Sequence, residues 1–339
     1  MSLVRALNGL LLLDKPAGCT SNRVLQQVRK LYGAKKAGHT GSLDPSATGM
    51  LPVCFGEATK LCAYMLDADK TYRVSGLFGV TTDTEDADGT VLNCCEVPLI
   101  NEAQMLEVVN SFTGEQLQRP PVYSAIKRNG VRSYKLAREG KTVELEPRRI
   151  NVKTIELTEF SGDRFTLELC VSKGTYIRSI VRDLGERFGC GAHVTALRRL
   201  SVSPFDRKNM VSLEQIESAD NADELLLATD EVIADWPSVS IDDESARRFQ
   251  NGSKPAHEGI DSPETLLRVY NPANIFLGLG RVASGRLETV RLIHGQTAVP
   301  AAGQKSDQKS DQSSSQNSEQ VQKQPVGHNE SCIAIGQTQ

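Results

Sequence analysis

The chain has no apolar run approaching the ~20 residues that a membrane-spanning helix needs, which sets aside a helical membrane protein. Its eight cysteines (Cys19, Cys54, Cys62, Cys94, Cys95, Cys170, Cys190, Cys332) include no C-x-x-C pair and no Cys/His spacing of a zinc site. No metal is therefore expected, and the thiols read as buried and reduced. An excess of one charge is also lacking, since 39 Lys and Arg face 42 Asp and Glu for a net charge of -3. A nucleic-acid surface would have to come from local arrangement. The opening "LNGLLLLDKPAG" reaches Asp14 and Lys15 after four leucines and offers no small-residue cleavage site. It reads as a buried strand rather than an export signal, and a reducing cytoplasm is the expected location.

What is present suits a soluble globular protein of two domains plus something extra: 339 residues, 39% hydrophobic and 24% charged. Val24, Leu25, Val28 and Leu31 have helical spacing, with Thr20 or Ser21 as cap and Gly33 as stop. "EATKLCAYML" is helical by composition, and "KTYRVSGLFGV" alternates as a strand. "INVKTIELTEF" and "FTLELCVSKG", joined by "SGD", predict a hairpin, and "TYIRSIVRDLGERFG" a helix with Arg178 and Arg182 off its apolar face. Residues 119–138 carry six basic side chains and no acid, a surface suited to phosphate. After about residue 240, short strands broken by Asn-Pro and Gly turns suffice for a small β-barrel. From Ala298 a Gln/Ser/Lys/Asp-rich tail is expected to be disordered.

The stretch "GHTGSLDPSATG", residues 38–49, needs a reason to be ordered. It holds Asp44, His39, four hydroxyl side chains and three glycines, with almost nothing apolar to bury. Asp-Pro-Ser is ordinary turn chemistry, yet Lys35, Lys36, His39 and glycine-loop amides would keep an anion charged there. "GAKKAGHT" falls short of a phosphate-binding P-loop, because His39 stands where that pattern needs lysine. "DADGTV" (residues 86–91) imitates a phosphoaspartate loop, but "TTDTED" precedes it instead of an apolar strand, so it reads as a polar turn. His39, Tyr72 and Arg178 are each unremarkable singly; only their joint pattern is specific.

That pattern, "GHTGSLDPSATGMLPVCFGEATK", "DADKTYRVSGLFGVTTDTEDADG", "RPPVYSAIKRNGVRSYKLAREG" and "SKGTYIRSIVRDLGERFGCGAHVTALRRL", resembles in order and spacing the motifs of the TruB family of bacterial tRNA pseudouridine synthases. With "LLLDKPAGCTSN" the likeness spans roughly residues 9–206. It implies isomerisation of uridine 55 in the T-loop of tRNA, without cofactor or metal and with base flipping. Asp44 matches the nucleophile, ionised at its ordinary pKa of ~3.9. Attack on ribose C1′ and a glycal route opened by removal of a ribose proton both stay open. Tyr72 matches the tyrosine that stacks on the base and takes the C5 proton; Arg178 matches the arginine paired with the aspartate, a pairing expected to lower its pKa. Tyr176 and Leu197 match positions lining the uracil pocket, and His39 a residue at the site of base extrusion. Ser42 and Ser46 depart from the threonine and leucine usual there, with altered loop packing expected but no loss of activity.

Further RNA contacts are expected from Lys15, Arg119, Lys127, Arg132 and Arg198, with salt-dependent binding. Three rival readings compete with this one. A guide-RNA-dependent subunit usually has serine after the histidine, where this chain has Thr40. A non-catalytic RNA-binding protein is opposed by the presence of Asp44, Tyr72 and Arg178. A phosphoryl-transfer enzyme built on Asp86 or Asp44 lacks a second acidic cluster for magnesium. The expectation is thus an α+β catalytic domain (1–238) with a mixed, largely antiparallel sheet flanked by helices, a PUA-like β-barrel (239–297) and a tail (298–339). The partner is the T-arm of tRNA, with no guide RNA and a monomer favoured.

Overall fold

The computed structural model describes residues 4–128, 130–141, 144–205, 210–257 and 262–295. Its first elements are β1 (Gly9–Lys15), α1 (Ser21–Leu31), β2 (Ala37–His39), β3 (Thr48–Phe55), α2 (Cys62–Leu66), β4 (Lys70–Phe78), β5 (Val80–Thr82), β6 (Val91–Cys94), α3 (Glu102–Asn110) and β7 (Gly114–Gln118). There follow β8 (Lys127–Arg128), β9 (Val131–Arg132), α4 (Ser133–Arg138), β10 (Arg148–Ser161), β11 (Arg164–Val171), α5 (Ile177–Arg187), β12 (Ala192–Val202) and α6 (Leu213–Ser218). The last group is β13 (Ser238–Ser240), α7 (Asp243–Gln250), β14 (Ser262–Tyr270), β15 (Phe276–Ala283) and β16 (Arg286–Leu292).

Eight strands form one sheet in the order β1-β3-β12-β4-β11-β10-β7, with β2 beside β3. Only β12 runs parallel to its neighbour β3; the other pairs are antiparallel. Alternation explains β4, where Tyr72, Val74, Gly76 and Phe78 are buried and Arg73 is exposed between them. In α5, Ile177, Ile180, Val181 and Leu184 bury one stripe against β4, β10, β11 and β12. In α1, Val24, Leu25 and Val28 do the same over β1 and β3, and the cap is Thr20, which accepts from the Arg23 amide. The expected helix over "EATKLCAYML" is instead a short 3-10 turn, Gly56–Lys60, followed by the five-residue α2. The Gly56 φ of +53° marks the sharp entry into that turn.

The expected barrel is a four-stranded sheet, β13-β14-β15-β16, with its own core of Ile241, Phe249, Val269, Leu277, Val282 and Leu287 under α7. Among the described residues β13 and β16 do not pair, so this sheet is open. It is latched to the larger one: Asn8 donates to the carbonyls of His294 and Gly295, and Lys60 to that of Leu292. Cys54 and Cys190 are buried as expected, whereas Cys94 and Cys95 are exposed; none of the described cysteines is in a disulfide. The tail from residue 298 and Cys332 lie outside the described residues.

One glycine fixes how the loop before β3 meets the sheet. Gly49 has φ +100°, and a Cβ there would stand 2.1 Å from the Arg199 carbonyl oxygen of β12. Strand β12 can lie parallel against β3 at this point because Gly49 has no side chain. We expect Gly49→Ala to lose more than ~2 kcal/mol in denaturant unfolding, from clash plus backbone strain. Gly18→Ala, at φ +78° but facing open space, should lose only ~1 kcal/mol. Equal losses would show that the close approach to β12 is not what requires Gly49.

Candidate active site

The loop between β2 and β3 is fastened from both sides of Asp44. The buried Ser21 hydroxyl, in the first turn of α1, accepts from the Leu43 amide (2.8 Å) and donates to the Leu43 carbonyl (3.0 Å). Beyond Asp44, the Lys15 ammonium at the end of β1 donates to the carbonyls of Pro45 (3.2 Å) and Ala47 (2.7 Å), and the Gly18 amide also donates to Pro45. A loop with little apolar surface is thus ordered by hydrogen bonds made out of reach of water, where each is hard to replace.

Arg178 comes to the same place from α5. Helical side chains lean toward the helix N-terminus, and this one is 5% exposed, with Nε 3.0 Å from Asp44 Oδ2. The pair is an ion contact without the alignment of a hydrogen bond, since Nε is buried and without an acceptor in line. The rest of the guanidinium is anchored: Nη1 donates to the Thr84 carbonyl (2.6 Å) and Nη2 to that of Tyr123 (3.0 Å). The Asp86 carboxylate, also buried, lies 3.6 Å from Nη1 and accepts from the Thr84 hydroxyl at 2.5 Å. Asp44, Ser46, Ala47, Asp86, Ala87, Arg178 and the β12 residues Val194 to Leu197 line one small cleft.

The electrostatics correct one expectation. Desolvation raises the Asp44 pKa above the ordinary carboxylate value, Arg178 opposes it, and the like charge of Asp86 adds to the rise. The net direction is up, not the drop expected from the arginine pair. Burial and the nearby Arg199 push the His39 imidazole down, so it is neutral at pH 7, and its Nδ1 is buried with no hydrogen-bond partner.

Of the other expected site residues, Leu197 lines the cleft, and Tyr72 is 9% exposed in the apolar cluster that holds Leu43 and Ala47. His39 ends β2, paired with Val53 of β3. Tyr176 is not among the residues lining the cleft. Its ring lies under the Arg148 guanidinium, 4.5 Å from the centroid, and its backbone exchanges two hydrogen bonds with the Gln118 side chain.

Of the residues expected on an RNA surface, Lys15 belongs to the scaffold and Arg198 is ion-paired with its side chain still 38% exposed. Lys15 is fully buried and holds three carbonyls of the Asp44 loop region, including that of Pro16. Arg198 forks the Asp14 carboxylate at 3.0 and 2.6 Å. Arg119 and Arg132 are exposed, and the Lys127 side chain lies outside what is described. Sequence reasoning missed Ser21 as the loop's latch, and Asp86 as more than a turn residue. The single signal for Asp86 was an acid within "TTDTEDADG", a segment already part of the resemblance.

Family models described as "TruB family pseudouridylate synthase (N terminal domain)", "tRNA pseudouridylate synthase B C-terminal domain" and "Pseudouridine synthase II TruB, C-terminal" match residues 29–177, 178–234 and 237–293. The chain is 46% identical over 303 residues to tRNA pseudouridine synthase B of Stutzerimonas stutzeri, covering 86% of this chain and 97% of that protein. It is 47% identical over 291 residues to the namesake from Chromohalobacter salexigens, covering 83% and 94%. Among solved structures, a chain of an H/ACA RNP bound to a substrate RNA containing 2′-deoxyuridine shares the fold at TM-score 0.64 and 23% identity, over 86% of this chain and 87% of that one. A chain of a Cbf5-Nop10-Gar1 complex does so at 0.63 and 25%, over 84% of each.

The balance of charges around Asp44 can be measured without any substrate. A carboxyl-carbon NMR titration should place Asp44 above the ~3.9 of a free side chain, and Asp86→Asn should bring it down, because the like charge goes while Arg178 stays. An Asp44 that titrates below the free value, or that rises in Asp86→Asn, would contradict this ranking.

Proposed function

The chain belongs to the TruB family of pseudouridine synthases and is an isomerase of that kind, and from that premise we propose that it converts uridine 55 in the T-loop of tRNA to pseudouridine, acting alone, with Asp44 as nucleophile. The observation that carries this is a reactive-loop carboxylate, 39% exposed at a cleft, held 3.0 Å from an arginine that is 5% exposed. Isomerisation returns every atom of the substrate: the C1′–N1 bond breaks, uracil turns, and C1′–C5 forms as the C5 proton leaves and N1 gains one. No electrons need a carrier. The site has to supply an anion for the sugar, a base for C5 and a pocket for a flipped ring.

Asp44 supplies the anion, and Arg178 fixes its position and stabilises its charge where burial has removed part of its water. Tyr72, between the loop and the floor of the sheet, stacks on the base and takes the C5 proton. Leu197 holds the ring at the cleft wall, and neutral His39 stands where the base leaves its stack. Because the Asp44 carboxyl is raised, the ionised fraction declines as pH falls through that raised value, so turnover fades at a higher pH than for an ordinary aspartate. The exposed Arg119 and Arg132 contact phosphate.

Relatives that are 44–47% identical are named tRNA pseudouridine synthase B, which supports tRNA as the substrate. The division near residue 238 is part of the same proposal, with the open β13–β16 sheet as the PUA-like RNA-binding piece. Among the described residues no helix is long and apolar enough to cross a membrane.

Tritium release from tRNA carrying 5-tritiated uridine tests the proposal. The wild-type protein should release tritium in the presence of a chelator. Asp44→Asn should lose more than ~1000-fold in rate while still retaining the tRNA on a filter. Near-normal release by Asp44→Asn, or release abolished by the chelator, would refute it.

A further inference from the structure

The turn between β5 and β6 contains a residue in an unfavourable conformation that the reaction does not obviously need. Glu85 has φ +63°, the left-handed region, which costs a non-glycine residue on the order of 1 kcal/mol. Every polar group of Glu85 is nonetheless engaged. Its amide donates to the Thr82 carbonyl (3.2 Å), and its carbonyl accepts from the Val194 amide of β12 (3.1 Å). One carboxylate oxygen accepts from Arg182 Nη1 at 2.6 Å and the other from the Ser179 hydroxyl at 3.1 Å. The side chain is 14% exposed.

The residues on either side of Glu85 explain what this conformation holds. Thr84 offers its carbonyl, and Asp86 its carboxylate, to the same nitrogen of Arg178. Arg182 lies four residues further along α5, on the same face, and its Nη2 donates to the Arg119 carbonyl, as Arg178 Nη2 does to that of Tyr123. Two arginines therefore tie the 83–86 turn to the start of the basic segment, and Glu85 is the side chain that clamps the turn onto the second of them.

We propose that Glu85 and Arg182 are a positioning pair for Arg178: their ion pair keeps Thr84 and Asp86 on the guanidinium that faces Asp44. Neither residue touches the substrate. The inference rests on the reading of Asp44 and Arg178 as the reactive pair. Its consequence is a defect in turnover with little change in RNA binding, because a small displacement of a reacting group acts on the transition state.

Glu85→Gly separates the clamp from the backbone, since glycine adopts this φ without strain. We expect its kcat for tritium release to fall about tenfold or more while KM for tRNA stays within about twofold, measured at a temperature where circular dichroism shows the variant folded. Glu85→Gln, which keeps an oxygen for Arg182, should restore most of the kcat. Glu186→Gln should match wild type in both constants, since Glu186 approaches Arg182 only at 3.7 Å and is 67% exposed. A Glu85→Gly kcat near wild type would overturn the proposal, as would a defect carried by KM, a defect that glutamine leaves unrepaired, or one that vanishes on cooling. Asp44→Asn run alongside separates the two readings. Full turnover by Asp44→Asn sinks the nucleophile assignment and the pair's role with it, whereas an inactive Asp44→Asn beside an unaffected Glu85→Gly sinks the positioning role alone.

Discussion

A guanidinium that is 5% exposed has to find its acceptors inside the protein, and the rest of this site is arranged around Arg178 meeting that demand. Its acceptors come from segments far apart in sequence: the Asp44 loop, the 83–86 turn and the 119–123 segment. Two of them are backbone carbonyls, which neither titrate nor turn away, so the arginine is fixed whether or not Asp44 is ionised. The carboxylate is the titratable partner, held 3.0 Å from Nε at the cleft.

The same constraint ranks the charges. A single arginine beside an aspartate predicts a lowered carboxyl pKa, but Asp44 is also desolvated and shares its arginine with Asp86, and together these outweigh the attraction. An arginine held between two carboxylates is only partly available to either. The pair therefore serves orientation more than acidity. It holds the carboxylate at the cleft, and desolvation makes that carboxylate more reactive than it would be in water.

Much of this was legible in the sequence because it depended on period and order. The 3.6-residue pattern marked α1 and α5, alternation marked β4 and the β10–β11 hairpin, and the multi-motif match singled out Asp44 and Arg178, which the fold brings together. What stayed hidden was which polar side chain serves the inside. Ser21 looked like a cap, and it is the latch on Leu43. Lys15 and Arg198 looked like phosphate ligands, and both pair with groups remote in sequence: Lys15 with the carbonyls of Pro45 and Ala47, 30 and 32 positions away, and Arg198 with Asp14. No local pattern marks such a pairing. Strand closure fails for the same reason: the turns after residue 240 show strands but not whether the first meets the last.

The reassignment of those cations bears on how the protein meets RNA. Lys15, Lys70, Arg178 and Arg199 are all buried, and each has backbone carbonyls as acceptors. Lys70 illustrates the consequence, since burial against the end of α2 pushes its ammonium down to about 8. Positive charge committed to carbonyls inside the protein releases no counterions from a phosphate backbone. With a net charge of -3, attraction for RNA has to come from the cations left outside, Arg119 and Arg132 of the 119–138 segment among them. That segment is also the one whose carbonyls Arg178 and Arg182 hold. The basic segment and the Asp44 cleft are thus joined through two arginines of one helix.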